Sequence, residues 1–112
     1  MARLLCYKQL LTSANVIDTQ GIIGQSYGKN AEQVKFIVRF NVGTSAGTIV
    51  FEEADSENYQ GVWSPLGQVA WTVASSEKAT TINGLGGFRA IRARISVTVA
   101  GGTADCWCQV QG

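Results

Sequence analysis

The chain has 112 residues, a length that predicts one domain able to bury a core without disulfide or metal support. Nine lysines and arginines against eight aspartates and glutamates give a net charge of +1, which excludes a global field attracting nucleic acid or anionic membrane. Thirteen glycines, one proline and 15% charged residues are typical of a compact, turn-rich β protein and argue against disorder.

The first part of the chain carries apolar residues with no single period. The leucines between residues 4 and 11 fit neither the helical nor the strand period. We therefore expect an N-terminal arm within residues 1–15 that leads into a first strand. The apolar pairs at residues 16–17 and 22–23 suit strand ends around a turn.

Targeting signals are absent from the same stretch. Lys8 and Gln9 interrupt the apolar start before it reaches the roughly 7–15 residues of a signal-peptide core. No segment approaches the roughly 20 apolar residues that a spanning helix needs. These features predict a protein that is made in the cytosol and does not contact membranes.

Residues 33–42 show the clearest strand pattern, with an apolar residue at every second position. The predicted inward residues are Val34, Phe36, Val38, Phe40 and Val42. A glycine-containing turn at residues 43–47 returns the chain into a second strand at residues 48–53, with Ile49 and Phe51 inward, so we predict a hairpin. Residues 52–61 form a polar loop in which Glu52 is expected to be a solvated charge.

The last third repeats this pattern. Short strands are predicted at residues 66–74 and 79–82, and a turn at residues 83–87 leads into a hairpin over residues 88–110 with Gly101-Gly102 at its tip. Its inward residues are Ile91, Ala93, Ile95, Val97 and Val99, then Ala104, Cys106, Cys108 and Val110. Alternation turns Arg92, Arg94, Asp105 and Trp107 outward.

These elements predict an all-β fold. Seven to eight strands separated by turns about every 8–12 residues indicate a single antiparallel β-sandwich, jelly-roll-like, over residues 1–112. No repeat or linker divides the chain.

The residues that catalysis usually requires are missing or poorly placed. The chain has no histidine, so Ser-His-Asp and Cys-His arrangements are excluded. Carboxylate pairs such as Glu52 with Asp55, or Glu53 with Glu57, lie in a loop so polar that solvated charge is the simpler interpretation. The glycines at residues 84–87 lie between predicted strands and lack the helix that a phosphate-binding loop needs. We predict no enzymatic activity and no cofactor.

The three cysteines are Cys6, Cys106 and Cys108. An odd number without framework spacing predicts reduced, buried thiols. Cys106 and Cys108 lie on one side of a strand, but two thiolates without histidine or a second pair make a poor zinc site. We therefore predict no metal.

Four outward residues of the last two strands are the candidate interface: Trp107, Arg92, Arg94 and Asp105. The arginines indicate a solvated face or a subunit contact rather than a nucleic-acid groove. Trp71 and Trp63 are predicted core residues. Trp107 is a contact candidate because tryptophan is enriched where partners bury surface; a solvent-exposed side chain, or packing against a neighbouring strand, is the open alternative.

Two segments together resemble a β-sandwich domain that recurs in structural proteins of tailed phages. The first, GTIVFEEADSENYQGVWSPL, matches at Gly47, Phe51, Trp63 and Leu66. The second, TINGLGGFRAIRARISVTVAGGTADCWCQV, matches at Gly87 and over residues 91–95. The likeness covers residues 33–112 and departs from the family pattern at residues 54–61, where a longer loop replaces a Ser-x-Asp-Gly turn.

This resemblance implies a virion structural protein, with a capsid decoration (cement) protein as the leading hypothesis. Its expected partners are the major capsid protein and further copies of itself, in a homotrimer or another cyclic oligomer. Its expected location is the outer surface of the head, after synthesis in the host cytoplasm. A tail or head-fibre accessory or adsorption protein remains an alternative, as does a carbohydrate-binding β-sandwich module, for which a glycan would be the partner.

Overall fold

The computed structural model describes residues 4–24, 31–73, 77–83 and 89–112. It contains eight strands within these ranges. They are β1 (Leu4–Ala14), β2 (Gln20–Gly24), β3 (Gln33–Phe40), β4 (Ala46–Ala54), β5 (Ser64–Ala70), β6 (Glu77–Asn83), β7 (Ala90–Ala100) and β8 (Ala104–Gln111). No helix long and apolar enough to cross a membrane occurs within these ranges.

The strands form two antiparallel four-stranded sheets that pack face to face. Sheet 1 has the order β1-β8-β3-β6, and sheet 2 has the order β2-β7-β4-β5. This is the connectivity of a jelly roll, in which the chain repeatedly crosses from one sheet to the other. The predicted all-β sandwich with a jelly-roll arrangement is confirmed.

Both predicted hairpins are wrong. β3 lies in sheet 1 and β4 in sheet 2, and β7 and β8 also lie in different sheets. The turns at residues 43–47 and 101–102 therefore connect the two sheets and do not connect paired strands. The reason is that both sheets bury one face against the same core. Strict alternation therefore identifies a buried face without identifying the sheet that contains it.

The core lies between the two inner faces. Phe36 of β3 stacks on Phe51 of β4 with ring centroids 4.0 Å apart, which joins the sheets at the centre. Burial of each ring contributes about 1.5–3 kcal/mol. The inward residues predicted for β8 are all fully buried: Ala104, Cys106, Cys108 and Val110.

The structure differs from the sequence-based prediction for several residues. Leu4–Ala14 is a full strand of sheet 1, so the predicted arm is wrong over those residues. Val42 is completely exposed because β3 ends at Phe40. Val97 is half exposed because the register of β7 against β4 shifts on either side of it, which breaks the alternation. The predicted turn at residues 83–87 begins at the last residue of β6, and its remainder, with Gly87 of the family pattern, lies outside the described residues.

Candidate functional site

The structure separates the four candidate interface residues onto opposite faces of the sandwich. Trp107 and Asp105 lie on the outer face of sheet 1, because their neighbours on β8 point into the core. Arg92 and Arg94 lie on the outer face of sheet 2, between inward residues of β7. The four therefore do not form one continuous surface.

A charged network occupies the outer face of sheet 2. Glu52 of β4 lies opposite Arg92 of β7, and its carboxylate accepts hydrogen bonds from Arg92 Nε at 2.9 Å and Arg94 Nε at 3.0 Å. Arg94 also donates to Asp18 Oδ1 at 3.0 Å, and Arg92 donates to the Gln20 side chain at 2.8 Å. Two arginines and two carboxylates cancel, so this network carries no net charge.

Burial and pairing act in opposite directions on Glu52. Burial raises the pKa of its carboxyl, but hydrogen bonds from Arg94 and Arg92, together with their charges, outweigh burial and hold the pKa below its ordinary value of 4.5. The hydrogen bond to Glu52 in turn raises the pKa of Arg94. Glu52 is therefore a buried partner of two arginines, which corrects the prediction of a solvated loop charge.

Trp63 contributes to the same face. It is buried, as predicted, but it packs beneath the Arg92 guanidinium, which lies 4.3 Å from the ring centroid. Its indole Nε1 donates to the backbone carbonyl of Tyr59 at 3.2 Å. The connection between β4 and β5 thus folds over the arginine side of sheet 2 and stabilises it. Arg92 and Arg94 are engaged within the chain.

The outer face of sheet 1 is arranged in rows across its strands. The central row places Gln9, Trp107, Ile37 and Ala79 side by side on β1, β8, β3 and β6. Polar and aromatic residues occupy the rows on either side. We call this surface the Trp107 face; its members are Tyr7, Gln9, Lys35, Ile37, Arg39, Glu77, Ala79, Thr81, Asp105, Trp107 and Gln109.

The two candidate residues on this face are held in place by neighbours. The Arg39 guanidinium lies 5.1 Å from the Trp107 ring centroid and pairs with Glu77 at 3.0 Å. Asp105 Oδ1 accepts a hydrogen bond from the Ser13 backbone N–H at 2.8 Å and a longer one, 3.4 Å, from Gln9. Trp107 points outward as predicted and is partly exposed.

A third surface lies at the end of the sandwich where β1, β3, β5 and β7 finish. Strand registers place the connections after these four strands together, and hydrogen bonds join Asn41 to Thr103 and Ser45 to Ala100 there. Five aliphatic side chains at this end are exposed. We call this surface the loop end; its residues are Val16, Ile17, Val42, Val73 and Val97.

Outside these three surfaces, the side chains that could act in catalysis or bind a metal are dispersed. The three cysteines are free thiols, and the inner-face pair, Cys106 and Cys108, is fully buried. Asp55 and Glu57 line an open polar cleft of about 370 Å³ with Ser56, Asn58 and Arg89. Among the residues that the structure describes, no three histidine, cysteine or acidic side chains are grouped closely enough to bind a metal ion.

Most of the Trp107 face and the loop end carry no signal in the sequence. Tyr7 and Gln9 fall within the expected arm because the residues around them show no strand period: Lys8, a charged residue, shares the phase of Cys6. Strand alternation also turns Gln109 and Ile37 outward, but it gives neither residue a role. The phase of Val42 matches that of Phe40 and predicts a core position; only the strand boundary reveals that Val42 is exposed.

Comparison with known proteins identifies relatives of the fold. No protein-family model matches the sequence, and no curated protein is similar to it in sequence. Among solved structures, the SPBc2 prophage-derived protein YomS superposes with a TM-score of 0.70 at 10% identity, over 100% of this chain and 96% of that one.

Two further solved structures belong to modules of carbohydrate-active enzymes. CBM32-1 from a family 31 glycoside hydrolase of Clostridium perfringens has a TM-score of 0.57 at 11% identity, covering 95% of this chain and 94% of that one. Chitosan-binding module 1 of a chitosanase/glucanase from Paenibacillus sp. IK-5 has a TM-score of 0.58 at 10% identity, covering 93% and 75%. The chain is a jelly-roll β-sandwich whose fold occurs in a prophage-derived protein and in a chitosan-binding module.

Proposed function

We propose that the chain is a non-enzymatic virion structural protein that decorates an assembled phage head. Two observations support a phage origin: the sequence resembles a phage structural domain over residues 33–112, and the fold matches that of a prophage-derived protein over nearly the full length of both chains. Its partner would be the major capsid protein, and its place the outer surface of the head.

The loop end is the observation that carries this proposal. Val42 and Val73 are almost completely exposed, and Val16, Ile17 and Val97 are about half exposed or more. Exposed aliphatic side chains gathered at one end of a small domain are costly in water, and the cores of protein–protein interfaces are depleted of charge and enriched in apolar area. We infer that this end docks on the capsid.

Symmetry would strengthen such docking. A shell presents many identical sites, so a homotrimer or another cyclic oligomer could engage several subunits at once, and weak individual contacts would add to tight attachment. By bridging neighbouring capsid subunits, the protein would stabilise their contacts. Arg92 and Arg94 are assigned a structural role instead, because Glu52, Asp18 and Gln20 already satisfy them.

Co-sedimentation with purified shells tests the proposal. We expect the wild-type protein to sediment with heads, and the double variant Val42→Asp/Val73→Asp to bind about tenfold more weakly or worse, because two charges would be desolvated in the contact. Val62→Asp is the matched control: Val62 is equally exposed but lies between β4 and β5, away from the loop end.

Each outcome has a definite meaning. Failure of the wild-type protein to sediment with heads or with tails would contradict a virion role. Binding to tails alone would support the alternative of a tail accessory or adsorption protein. Equal losses for Val62→Asp and the double variant would overturn the assignment of the loop end as the docking surface.

A further inference from the structure

The Trp107 face carries two aromatic side chains on neighbouring strands. Tyr7 lies opposite Gln109, and Trp107 lies opposite Gln9, so the two rings occupy diagonal positions of the β1–β8 pair. Diagonal neighbours are about 7–8 Å apart, within reach of a single short ligand. Tyr7 is more than half exposed and Trp107 is partly exposed. The pair forms an aromatic platform on the outer face of sheet 1, with one side of the Trp107 ring covered by Arg39.

The backbone and Arg39 keep this platform rigid. β8 is paired on both sides, by β1 and by β3, so Trp107 projects from an interior strand. The Arg39 guanidinium lies over the indole ring and is itself held by Glu77. A pre-positioned ring loses little conformational entropy when a ligand stacks on it.

Amide and hydroxyl groups border the aromatic pair. Gln109 lies in the row with Tyr7 and Lys35, and Gln9 lies beside Trp107. Among the residues that the structure describes, the Gln109 amide and the Tyr7 hydroxyl form no side-chain hydrogen bond. An amide offers both a donor and an acceptor, as does a phenolic hydroxyl, and sugar hydroxyls require both.

The charges on this face cancel. Lys35 and Arg39 are balanced by Asp105 and Glu77, and Arg39 is ion-paired with Glu77 at 3.0 Å. Asp105 accepts hydrogen bonds from Ser13 and Gln9. Such a face offers no net attraction to an anionic or a cationic ligand, so the complementary occupant is uncharged.

We propose that the Trp107 face binds a neutral oligosaccharide, with Tyr7 and Trp107 stacking on sugar rings and Gln9 and Gln109 hydrogen-bonding their hydroxyls. The apolar C–H face of a sugar ring packs on an aromatic ring, while its hydroxyls need polar partners around that ring. This activity goes beyond head decoration and uses a different surface from the loop end. The domain could therefore sit on a virion through one surface and bind a glycan through another.

Glycan-array binding tests the proposal, followed by calorimetric titration with cellohexaose and chitohexaose as neutral probes and a heparin oligosaccharide as the anionic comparison. We expect binding to neutral glycans, weakened about tenfold or more in Trp107→Ala and in Tyr7→Ala, because each loses one stacking contact. Tyr59→Ala is the matched control, since Tyr59 is also exposed but lies between β4 and β5.

The thermal unfolding of every variant is measured alongside. Tyr7→Ala keeps the test decisive if Trp107→Ala does not fold, since Tyr7 is at a sheet edge and mostly exposed. The proposal is overturned if the folded wild-type protein binds no neutral glycan on the array, if it prefers the heparin oligosaccharide, or if Tyr59→Ala loses as much affinity as Tyr7→Ala.

The loop-end variant separates this proposal from the virion role. Val42→Asp/Val73→Asp should bind glycans like the wild-type protein, whereas Tyr7→Ala should still sediment with heads. Loss of head binding in Tyr7→Ala together with unchanged glycan binding would overturn the proposal and identify the Trp107 face as a protein contact.

Discussion

At the level of single residues, Glu52 is held between two arginines on the outer face of sheet 2. Its side chain is only 12% exposed and its carboxylate is shared between Arg92 and Arg94. Removing the carboxylate charge would leave two like charges close together and partly desolvated. Buried pairs broken in this way cost more than exposed pairs, because the remaining charge has no compensation.

We predict that Glu52→Gln lowers the free energy of unfolding at pH 7 by about 2–3 kcal/mol, between the values typical of exposed and buried pairs. Urea denaturation of the variant and the wild type measures this difference in the free energy of unfolding. Glu53→Gln is the control. The Glu53 side chain is half-buried and forms no ion pair with any described residue, so this substitution should change the free energy of unfolding by no more than about 0.5 kcal/mol. Equal losses of stability in Glu52→Gln and Glu53→Gln would contradict a stabilising role for the ion pairs of Glu52.

The ion pairs of Glu52 with Arg92 and Arg94 also predict that the stability of the protein depends on pH. Because the pKa of Glu52 in the folded state lies below its ordinary value of 4.5, the unfolded state binds more protons in acid. Its contribution to stability is fully present above about pH 4.5 and is lost as the pH falls through the folded pKa. The stability difference between wild type and Glu52→Gln should therefore shrink below pH 4.5, measured by urea denaturation at a series of pH values. A difference constant down to pH 2 would contradict this sign.

At the level of elements, the two sheet-crossing connections support one another. Gly43 between β3 and β4 and Gly101 between β7 and β8 both adopt positive φ, +98° and +78°, and their backbones are in close contact. Thr44 is buried against Gly102 beside them. The crossings are therefore built on glycine because the left-handed backbone and the close approach both exclude a side chain.

We predict that Gly101→Ala destabilises the protein by about 2 kcal/mol or more, since its Cβ would be strained at this φ and would overlap the carbonyl oxygen of Gly43. Gly67→Ala is the control, because a Cβ there would meet Ile82 at an ordinary 3.5 Å. Thermal and urea unfolding of both variants checks the expectation. A neutral Gly101→Ala would mean that the two connections do not pack as described.

At the level of the whole molecule, the sandwich encloses thiols that only a separation of the sheets can expose. Cys106 and Cys108 lie on the inner face of β8, an interior strand of sheet 1. Burial and the neighbouring Cys6 thiol raise the pKa of Cys108 to about 12, and burial together with Cys108 raises that of Cys106. Both thiols are therefore protonated and sheltered in the native state.

We predict that iodoacetamide at pH 8 alkylates Cys6 first, because it is only half-buried on edge strand β1, and reaches Cys106 and Cys108 at the much slower rate of global opening. Mass spectrometry of the alkylated peptides measures the order. Urea-unfolded protein, in which all three should react alike, is the control. Equally rapid labelling of all three in native protein would contradict the packed inner face.

At the scale of the molecule, the two proposed interactions would use separate surfaces. The loop end is aliphatic and closes one end of the sandwich, whereas the Trp107 face is aromatic and polar and covers the outside of sheet 1. A protein partner buries the first type of surface, and a sugar suits the second. The charged network on sheet 2 serves stability instead.

The amino-acid sequence by itself determined the fold class and most of the core. The alternation in β3 and β8 identified Phe36, Cys106 and Trp107 on their correct sides, because side-chain direction along a strand is a local property of the backbone. The turn residues determined the approximate number of strands, because turn formation also depends on local sequence. Tertiary structure was not needed for any of this.

Only the tertiary structure decided which strands pair and what each outer face contains. Glu52 is buried because Arg92 and Arg94 lie beside it across a strand pair, 40 and 42 residues away in the chain. Tyr7 and Trp107 share a face because β1 pairs with β8, at opposite ends of the sequence. Strand pairing in a jelly roll is set by contacts distant in sequence, and alternation along one strand carries no information about the partner strand.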